Sequence, residues 1–279
     1  MTNEINHTAG DLGLAARMTN MEETLNNIFD LTGKTILVTG ASSGLGRHFA
    51  TSMAQAGATI IGAARRADAL AELVAEIKGK GGAAHAVPMD VTDMASVRAG
   101  VAEAVRLTGG IDGLINNSGV NRRGPLLEIG EDDWDAVIDT NLKGVWAVGT
   151  EVARHMAERG KGGGIVNIAS LLSFRQSPGA TPYAVSKAGV VQLTQQMALE
   201  WAANGIRVNA IAPGYFETDL NRAFLQSEAG QKIISRIPFR RVGEHRELTG
   251  AMQLLLSDAG SYITGSTISV DGGHRVNSI

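Results

Sequence analysis

Three tyrosines occur in the chain, and only Tyr183 has a lysine four residues on, Lys187; Ser170 stands thirteen residues upstream, closing an apolar run. Residues four apart share one face of a helix, so this spacing puts the Lys187 ammonium beside the Tyr183 phenol and favours the ionised form. A phenol ordinarily titrates near pH 10, with each unit of change equivalent to about 1.4 kcal/mol. A fixed cation in a dry site is expected to lower that value, which makes Tyr183 a candidate proton donor and acceptor near neutrality. The plainer reading is an exposed helix pair, with Ser170 a strand-end hydroxyl bonded to its own backbone.

Elements must hold these groups. From Leu31 onward, short β-branched apolar runs alternate with helical segments, the rhythm of a doubly wound α/β fold with one parallel sheet of about seven strands and helices on both faces. Strands are predicted over Thr35–Thr39, Thr59–Ala63, Ala84–Val87, Gly113–Asn116, Gly164–Ile168, Arg207–Ile211 and Thr267–Val270. Helices are predicted over Gly44–Ala56, Asp68–Lys78, Met94–Leu107, Asp132–Arg159, Pro182–Ala203 and Glu247–Leu256. Residues 1–30 read as a polar extension without the apolar stretch of a secretory signal, with Met18 and Met21 as alternative starts. Residues 31–279 read as a single domain in which residues 213–243 are too long for an ordinary connection and form a lid beyond the carboxyl ends of the strands.

The first predicted strand runs into Thr39-Gly40-Ala41-Ser42-Ser43-Gly44-Leu45-Gly46 and then a helix. Glycines at such a turn let backbone N–H groups approach a pyrophosphate at the positive helix end, although Gly-x3-Gly-x-Gly departs from the G-x-G-x-x-G spacing. After the second strand stand Arg65 and Arg66 where a carboxylate would hold a ribose 2′-hydroxyl. Guanidinium groups there fork onto a 2′-phosphate, which favours NADP(H), with NAD(H) as the second choice. Their other reading is the start of a solvated helix. Gly40-Ala41-Ser42-Ser43-Gly44 also matches G-x-S-x-G, the serine-hydrolase elbow, but that elbow normally follows several strands rather than the first.

With 25 basic and 28 acidic residues scattered along 279, the net charge of -3 carries no nucleic-acid footprint. Zero cysteines exclude disulfides and thiolate chemistry and accord with a reducing cytoplasm. His7, His48, His85, His155, His245 and His274 show no metal-ligand spacing, so no metal is expected. No apolar run reaches membrane-spanning length.

The glycine turn, Asn116-Asn117-Ser118-Gly119, Asn141, Ser170, Tyr183, Lys187 and Pro213-Gly214 occur in the order seen in the short-chain dehydrogenase/reductase family, which the chain resembles from about Leu31 to Gly273. Ser118 departs from the usual alanine. The resemblance implies a Rossmann-like fold and an oxidoreductase moving hydride between NADP(H) and a ketone or secondary alcohol. It makes Tyr183 the acid/base, with Ser170 bonded to the same substrate oxygen. Lys187 would hold the nicotinamide ribose, and Asn141 a water that connects Lys187 to solvent. Gly40, Ser42, Ser43, Gly44, Leu45 and Gly46 fall to the phosphates, Asp90 and Val91 to the adenine, Asn117 and Gly119 to the ribose path, and Thr218, after Pro213 and Gly214, to the carboxamide. By its own context Asp90 is equally a helix cap before Met94.

Family habit implies a homotetramer or dimer through the two long helices. A 3-oxoacyl thioester is the first substrate expectation and a sugar or sugar acid the alternative. Arg122, Arg123 and Arg175 hint at an anionic substrate, whereas Tyr215 and Phe216 hint at an apolar one. A non-catalytic dinucleotide-binding scaffold is disfavoured, because a chain freed from catalysis has no reason to hold Ser170, Tyr183, Lys187 and Asn141 together.

Overall fold

In the computed structural model, residues 28–218 and 221–276 are described. Seven strands form one wholly parallel sheet: β1 Thr35–Thr39, β2 Thr59–Ala64, β3 Ala83–Pro88, β4 Gly113–Asn116, β5 Gly163–Ile168, β6 Ile206–Pro213 and β7 Thr267–Val270, in the order 3-2-1-4-5-6-7. Each lies within two residues of its expected bounds. The signal was strong because strands covered on both faces read as continuous apolar runs; all five residues of β1 are buried.

The alternation of side chains along β1 divides the core. Ile36 and Val38 face a cluster with Phe49, Met53, Leu70, Leu73, Met252 and Leu255, which belongs to helices α1 (Gly44–Gln55), α2 (Ala67–Gly79) and α9 (Thr249–Leu256). Leu37 faces Val97, Val101, Val148, Val152, Met156 and Met197, from α3 (Met94–Thr108), α5 (Gly144–Arg159) and α6 (Thr181–Trp201). The chain leaves β1 towards β2 and β3, then returns to its other side at β4, and a crevice opens where that direction reverses.

The single helix expected over Asp132–Arg159 is interrupted. Helix α4 (Glu131–Ile138) passes through a π turn at Asp139–Lys143 before α5 begins. One extra residue in the turn turns Asn141 inward, fully buried, where its side chain is bonded on both sides. The segment after β6 also holds structure the sequence did not announce: α7 (Arg222–Gln226) and α8 (Glu228–Ile234), the latter capped by the Ser227 hydroxyl accepting from Gly230 N at 3.2 Å. Of the expected extension, residues 1–27 lie outside the described residues. Phe29 and Asp30 are tied in, the Phe29 carbonyl accepting from Gln253 of α9 at 2.9 Å.

Candidate active site

The sheet edge gathers the chemistry. Gly40 adopts φ +64°, a left-handed conformation that favours glycine. At Gly46 a Cβ would collide with the Gly40 carbonyl oxygen and lie 2.5 Å from Asn117 Nδ2, so the start of α1 presses directly on the turn. Asn117 braces this arrangement from the end of β4: its Nδ2 donates to the Thr39 carbonyl at 3.1 Å, and its own N–H donates to Thr39 Oγ1 at 3.0 Å. The result is a helix N-terminus packed directly on the turn, with no side-chain cap bond from Ser43, the geometry that suits a phosphate.

Arg66 extends over the same turn, donating from Nη2 to Ser42 Oγ and Ser43 Oγ, both at 3.0 Å. Arg65 lies close enough to Asp90 for its charge to help hold that carboxyl below its usual range, after the hydrogen bond from the Thr92 backbone. Asp90 Oδ1 accepts from Thr92 N at 3.0 Å and from Thr92 Oγ1 at 2.8 Å. It does not cap α3; Asp93 does, accepting from Ala95 N at 2.9 Å. Val91 is buried against Gly144, at the start of α5.

Helix α6 delivers Tyr183 and Lys187 to one face, with the ammonium 5.7 Å from the centre of the phenol ring. Lys187 is 3 % exposed, and its Nζ donates to the Ile168 carbonyl at 2.6 Å. Burial pulls this amine from 10.5 to about 8. Tyr183 keeps part of its surface open, yet burial still pushes its phenol up from 10; the hydrogen bond with Ser170 works downward and nearby Tyr215 works upward. The sequence-based expectation of a phenol lowered by Lys187 is therefore corrected. Its cation is weakened by its own desolvation and is committed to the Ile168 carbonyl, so it does not offset the cost of burying a phenolate.

Ser170 follows β5, and its hydroxyl also accepts from Leu172 N at 3.1 Å. Asn141 Oδ1 accepts from Val120 N at 2.8 Å, while its Nδ2 donates to the Val120 carbonyl at 2.9 Å and to Ser186 Oγ at 3.1 Å. That side chain is fully employed in pinning the β4 loop to α6. A Cβ on Gly119 in this loop would lie 3.4 Å from Asn141 Oδ1 and 3.7 Å from Lys187 Nζ. Thr218 reaches back across the crevice, its methyl 3.9 Å from where a Cβ of Gly44 would sit. Ser170 and Tyr183 line a cavity of about 250 Å3 together with Leu45, Pro213, Gly214 and Thr218. One continuous crevice joins the glycine turn to the phenol.

Similarity to known proteins bears on the chain as a whole. Residues 40–275 match the family profile described as Enoyl-(Acyl carrier protein) reductase. Gluconate 5-dehydrogenase of Gluconobacter oxydans (strain 621H) is 41% identical over 252 residues, 90% of this chain and 98% of that protein. The 3-oxoacyl-[acyl-carrier-protein] reductase FabG of Thermotoga maritima is 41% identical over 243 residues, 87% of this chain and 98% of that protein. The crystal structure of a gluconate 5-dehydrogenase from Burkholderia cenocepacia J2315 in complex with NADP and tartrate superposes with a TM-score of 0.88 at 40% identity, covering 91% of this chain and 100% of that one. The chain belongs to the short-chain dehydrogenase/reductase family.

As a member of the short-chain dehydrogenase/reductase family it is an oxidoreductase acting on CH–OH groups, and the serine-hydrolase reading falls. Ser42 Oγ meets the Arg66 guanidinium, which does not serve as a base. Among the three arginines singled out for an anionic substrate, Arg123 lines the catalytic cavity. Arg122 turns outward and pairs with Asp133 at 3.2 Å. Arg175 lies beyond the cavity and donates to the His274 carbonyl at 2.8 Å.

Sequence reasoning missed the supports of this short-chain dehydrogenase/reductase site. Ser173 Oγ donates to the Lys187 carbonyl at 2.7 Å, and Ser186 Oγ to the Tyr183 carbonyl at 2.7 Å, fixing the turn of α6 that bears the pair. Asn121 and Asn221 also line the cavity. Ser186, adjacent to Lys187, and Ser173, in the short turn after Ser170, were the available signals.

Proposed function

We propose that this protein interconverts a small polyhydroxylated keto acid, a keto sugar acid, and its alcohol with NADP(H) as cofactor. The observation that carries the substrate reading is the cavity beside Ser170 and Tyr183. It is small, about 250 Å3, and within a largely apolar lining Asn121, Arg123 and Tyr215 bring polar side chains, whereas the Asn221 amide is spent on Thr218 N and the Phe216 carbonyl. Hydroxyl-rich substrates need such donors and acceptors, because each buried polar group left unpaired costs about 1–3 kcal/mol. Similarity to gluconate 5-dehydrogenase adds support.

The residues at the turn fit the dinucleotide. Gly40, Gly44, Leu45 and Gly46 would hold the pyrophosphate, and Ser42, Ser43, Arg65 and Arg66 the 2′-phosphate. Asp90 and Val91 would meet the adenine, Asn117 and Gly119 the ribose path, Lys187 the nicotinamide ribose, and Pro213, Gly214 and Thr218 the carboxamide. When bound, the cofactor supplies or accepts the hydride. Tyr183 gives a proton to the carbonyl oxygen in reduction and removes it in oxidation. Ser170, whose hydroxyl stands within hydrogen-bonding reach of the phenol, would turn its single O–H to that oxygen and fix its position. Asn141, with its side chain spent on Val120 and Ser186, holds the loop at Gly119 beside Lys187, and a water against its turn would pass protons onward. Residues 213–243 close over the substrate, the exposed Trp146 (45 %) and Leu199 (75 %) on α5 and α6 support a homotetramer through those helices, and a chain with zero cysteines suits the cytoplasm.

The test is reduction followed at 340 nm with 5-keto-D-gluconate, an acetoacetyl thioester and a small cyclic ketone, each with NADPH and NADH. Preference for the keto acid by tenfold or more in kcat/KM is expected; preference for the thioester would transfer the assignment to the second reading, which the similarity to FabG supports. Replacing Arg66 by alanine is expected to raise KM for NADPH about tenfold or more, equivalent to about 1.4 kcal/mol, with KM for NADH changing less than threefold. Equal losses with both cofactors would remove the role given to this guanidinium.

A further inference from the structure

The catalytic cavity holds a second phenol. Tyr215, just beyond the Pro213 end of β6, lines the same cavity as Ser170 and Tyr183. We infer that the Tyr215 hydroxyl is a substrate-recognition group: it hydrogen-bonds a neutral oxygen, a hydroxyl or a second carbonyl, that the substrate carries near the reacting C=O. It thereby selects oxygenated ketones over bare ones. The inference rests on the reading of this cavity as the substrate site, and it deepens the keto sugar acid assignment by naming the group that recognises the hydroxyl beside the ketone.

The ring is held in place before any substrate arrives. Gly214 N donates to the Val270 carbonyl of β7 at 2.9 Å, and the Tyr215 carbonyl accepts from Gly243 N at 2.9 Å. A Cβ on Gly214 would come within 2.7 Å of Asp271 Cα, and one on Gly243 would collide with the Phe216 ring, so the backbone is packed tightly on both sides of Tyr215. The His274 ring backs the phenol, with ring centres 5.8 Å apart. A group fixed in this way loses little further freedom on binding. Its hydroxyl, on a half-buried ring, takes part in no hydrogen bond among the described residues, whereas tyrosine hydroxyls withdrawn from water ordinarily find a partner. The other polar side chains of the cavity are engaged or exposed. Asn221 is committed to Thr218 N and the Phe216 carbonyl, both at 2.8 Å. Arg123 donates to Ser177 Oγ at 3.5 Å and lies over the Phe224 ring, and Asn121 stands at the exposed rim. Burial pushes the Tyr215 phenol up from 10 against the pull of Arg123, so it is a neutral hydroxyl at pH 7, able to donate and to accept. Such a group suits a hydroxyl or carbonyl oxygen and does not demand an anion. A charge on Tyr215 is felt at Tyr183, so an oxygen held by the one lies close to a carbonyl held by the other.

The test compares matched ketones on the full chain with NADPH. 5-Keto-D-gluconate and 5-oxohexanoate agree in carbon chain, carboxylate and carbonyl position, and only the first carries hydroxyls. An acetoacetyl thioester and the ketothioether in which a methylene replaces its second carbonyl form the other pair. Tyr215→Phe is expected to lower the ratio of kcat/KM for the oxygenated member over the bare member about tenfold, the loss of one well-placed hydrogen bond. The dissociation constant for NADPH should stay within about twofold, since the cofactor does not use this hydroxyl. Tyr262→Phe, which removes a fully exposed hydroxyl at the opposite ends of the strands, should hold the selectivity ratio within about twofold. Binding gives an independent readout. D-Gluconate cannot react with the reduced cofactor, so with NADPH saturating it should raise the melting temperature of the wild type and of Tyr262→Phe, and Tyr215→Phe should lose most of that rise. If 5-keto-D-gluconate is not reduced while the thioester is, the keto sugar acid reading fails and the thioester pair alone decides the role of Tyr215. A wild type that prefers the oxygenated member of neither pair would overturn the proposal. So would a Tyr215→Phe protein in which both members of the preferred pair fall together, or one that keeps the wild-type response to D-gluconate.

Discussion

Replacing Tyr183 by phenylalanine is expected to reduce kcat in both directions by about a thousandfold or more, within the 10²–10⁴ range that a positioned acid/base supplies, while the dissociation constant for NADPH changes less than twofold. The substitution removes only the hydroxyl. It preserves the ring that packs at the N-terminal end of α6 and leaves Lys187 bonded to the Ile168 carbonyl. Fluorescence titration of bound NADPH and single-turnover absorbance at 340 nm separate the two effects. Retention of a tenth of wild-type turnover would mean that the proton comes from elsewhere.

The direction of the phenol's perturbation adds a pH signature. Burial holds Tyr183 neutral beyond its usual range, and Lys187 loses its proton near pH 8. Reduction needs the protonated phenol, so kcat/KM for reduction should hold through neutral pH and decline as pH rises through about 8, where the supporting cation is lost. Oxidation needs the phenolate, which burial keeps scarce beyond the usual phenol range, so its kcat/KM should stay low through that window and climb only at higher pH. Profiles measured from pH 6 to 10 check this, and parallel profiles for the two directions would contradict it.

How much of this was legible from the residues depended on whether the signal was local. Strand β1 could be read from Thr35 to Thr39 because five consecutive β-branched or apolar residues end at a glycine. The pairing of Tyr183 with Lys187 could be read because helical geometry fixes it. The π turn could not: it exists because the Asn141 side chain closes two hydrogen bonds with Val120, 21 residues away, and no local pattern encodes that exchange. Nor could the direction of the Tyr183 perturbation, since spacing reports who is near and not how dry the neighbourhood is. Asp90 could be read as a cap before Met94, and only the path of the chain into α3 gives that place to Asp93.

Lys187→Met should abolish most turnover, by about a hundredfold or more, and yet leave the protein as stable at pH 7 or slightly more so. The wild-type amine falls from 10.5 in the unfolded chain to about 8 in the fold, so between those values the unfolded chain binds more protons and stability rises with pH. Below pH 8 the full penalty for burying the ammonium applies, about 3 kcal/mol by the 1.4 kcal/mol equivalence. Methionine removes that penalty with a side chain of similar length. Its opposing cost is the loss of the 2.6 Å hydrogen bond, which leaves the Ile168 carbonyl unpaired at about 1–3 kcal/mol. The net change at pH 7 therefore falls between zero and a gain of about 2 kcal/mol, and it should turn into a loss by pH 10, where the wild-type penalty has nearly gone. Urea unfolding at both pH values measures the two ends. A loss of more than 2 kcal/mol at pH 7 would show that Lys187 stabilises the fold; the expected pattern would show that the fold tolerates a costly cation at this position because the chemistry at Tyr183 requires it.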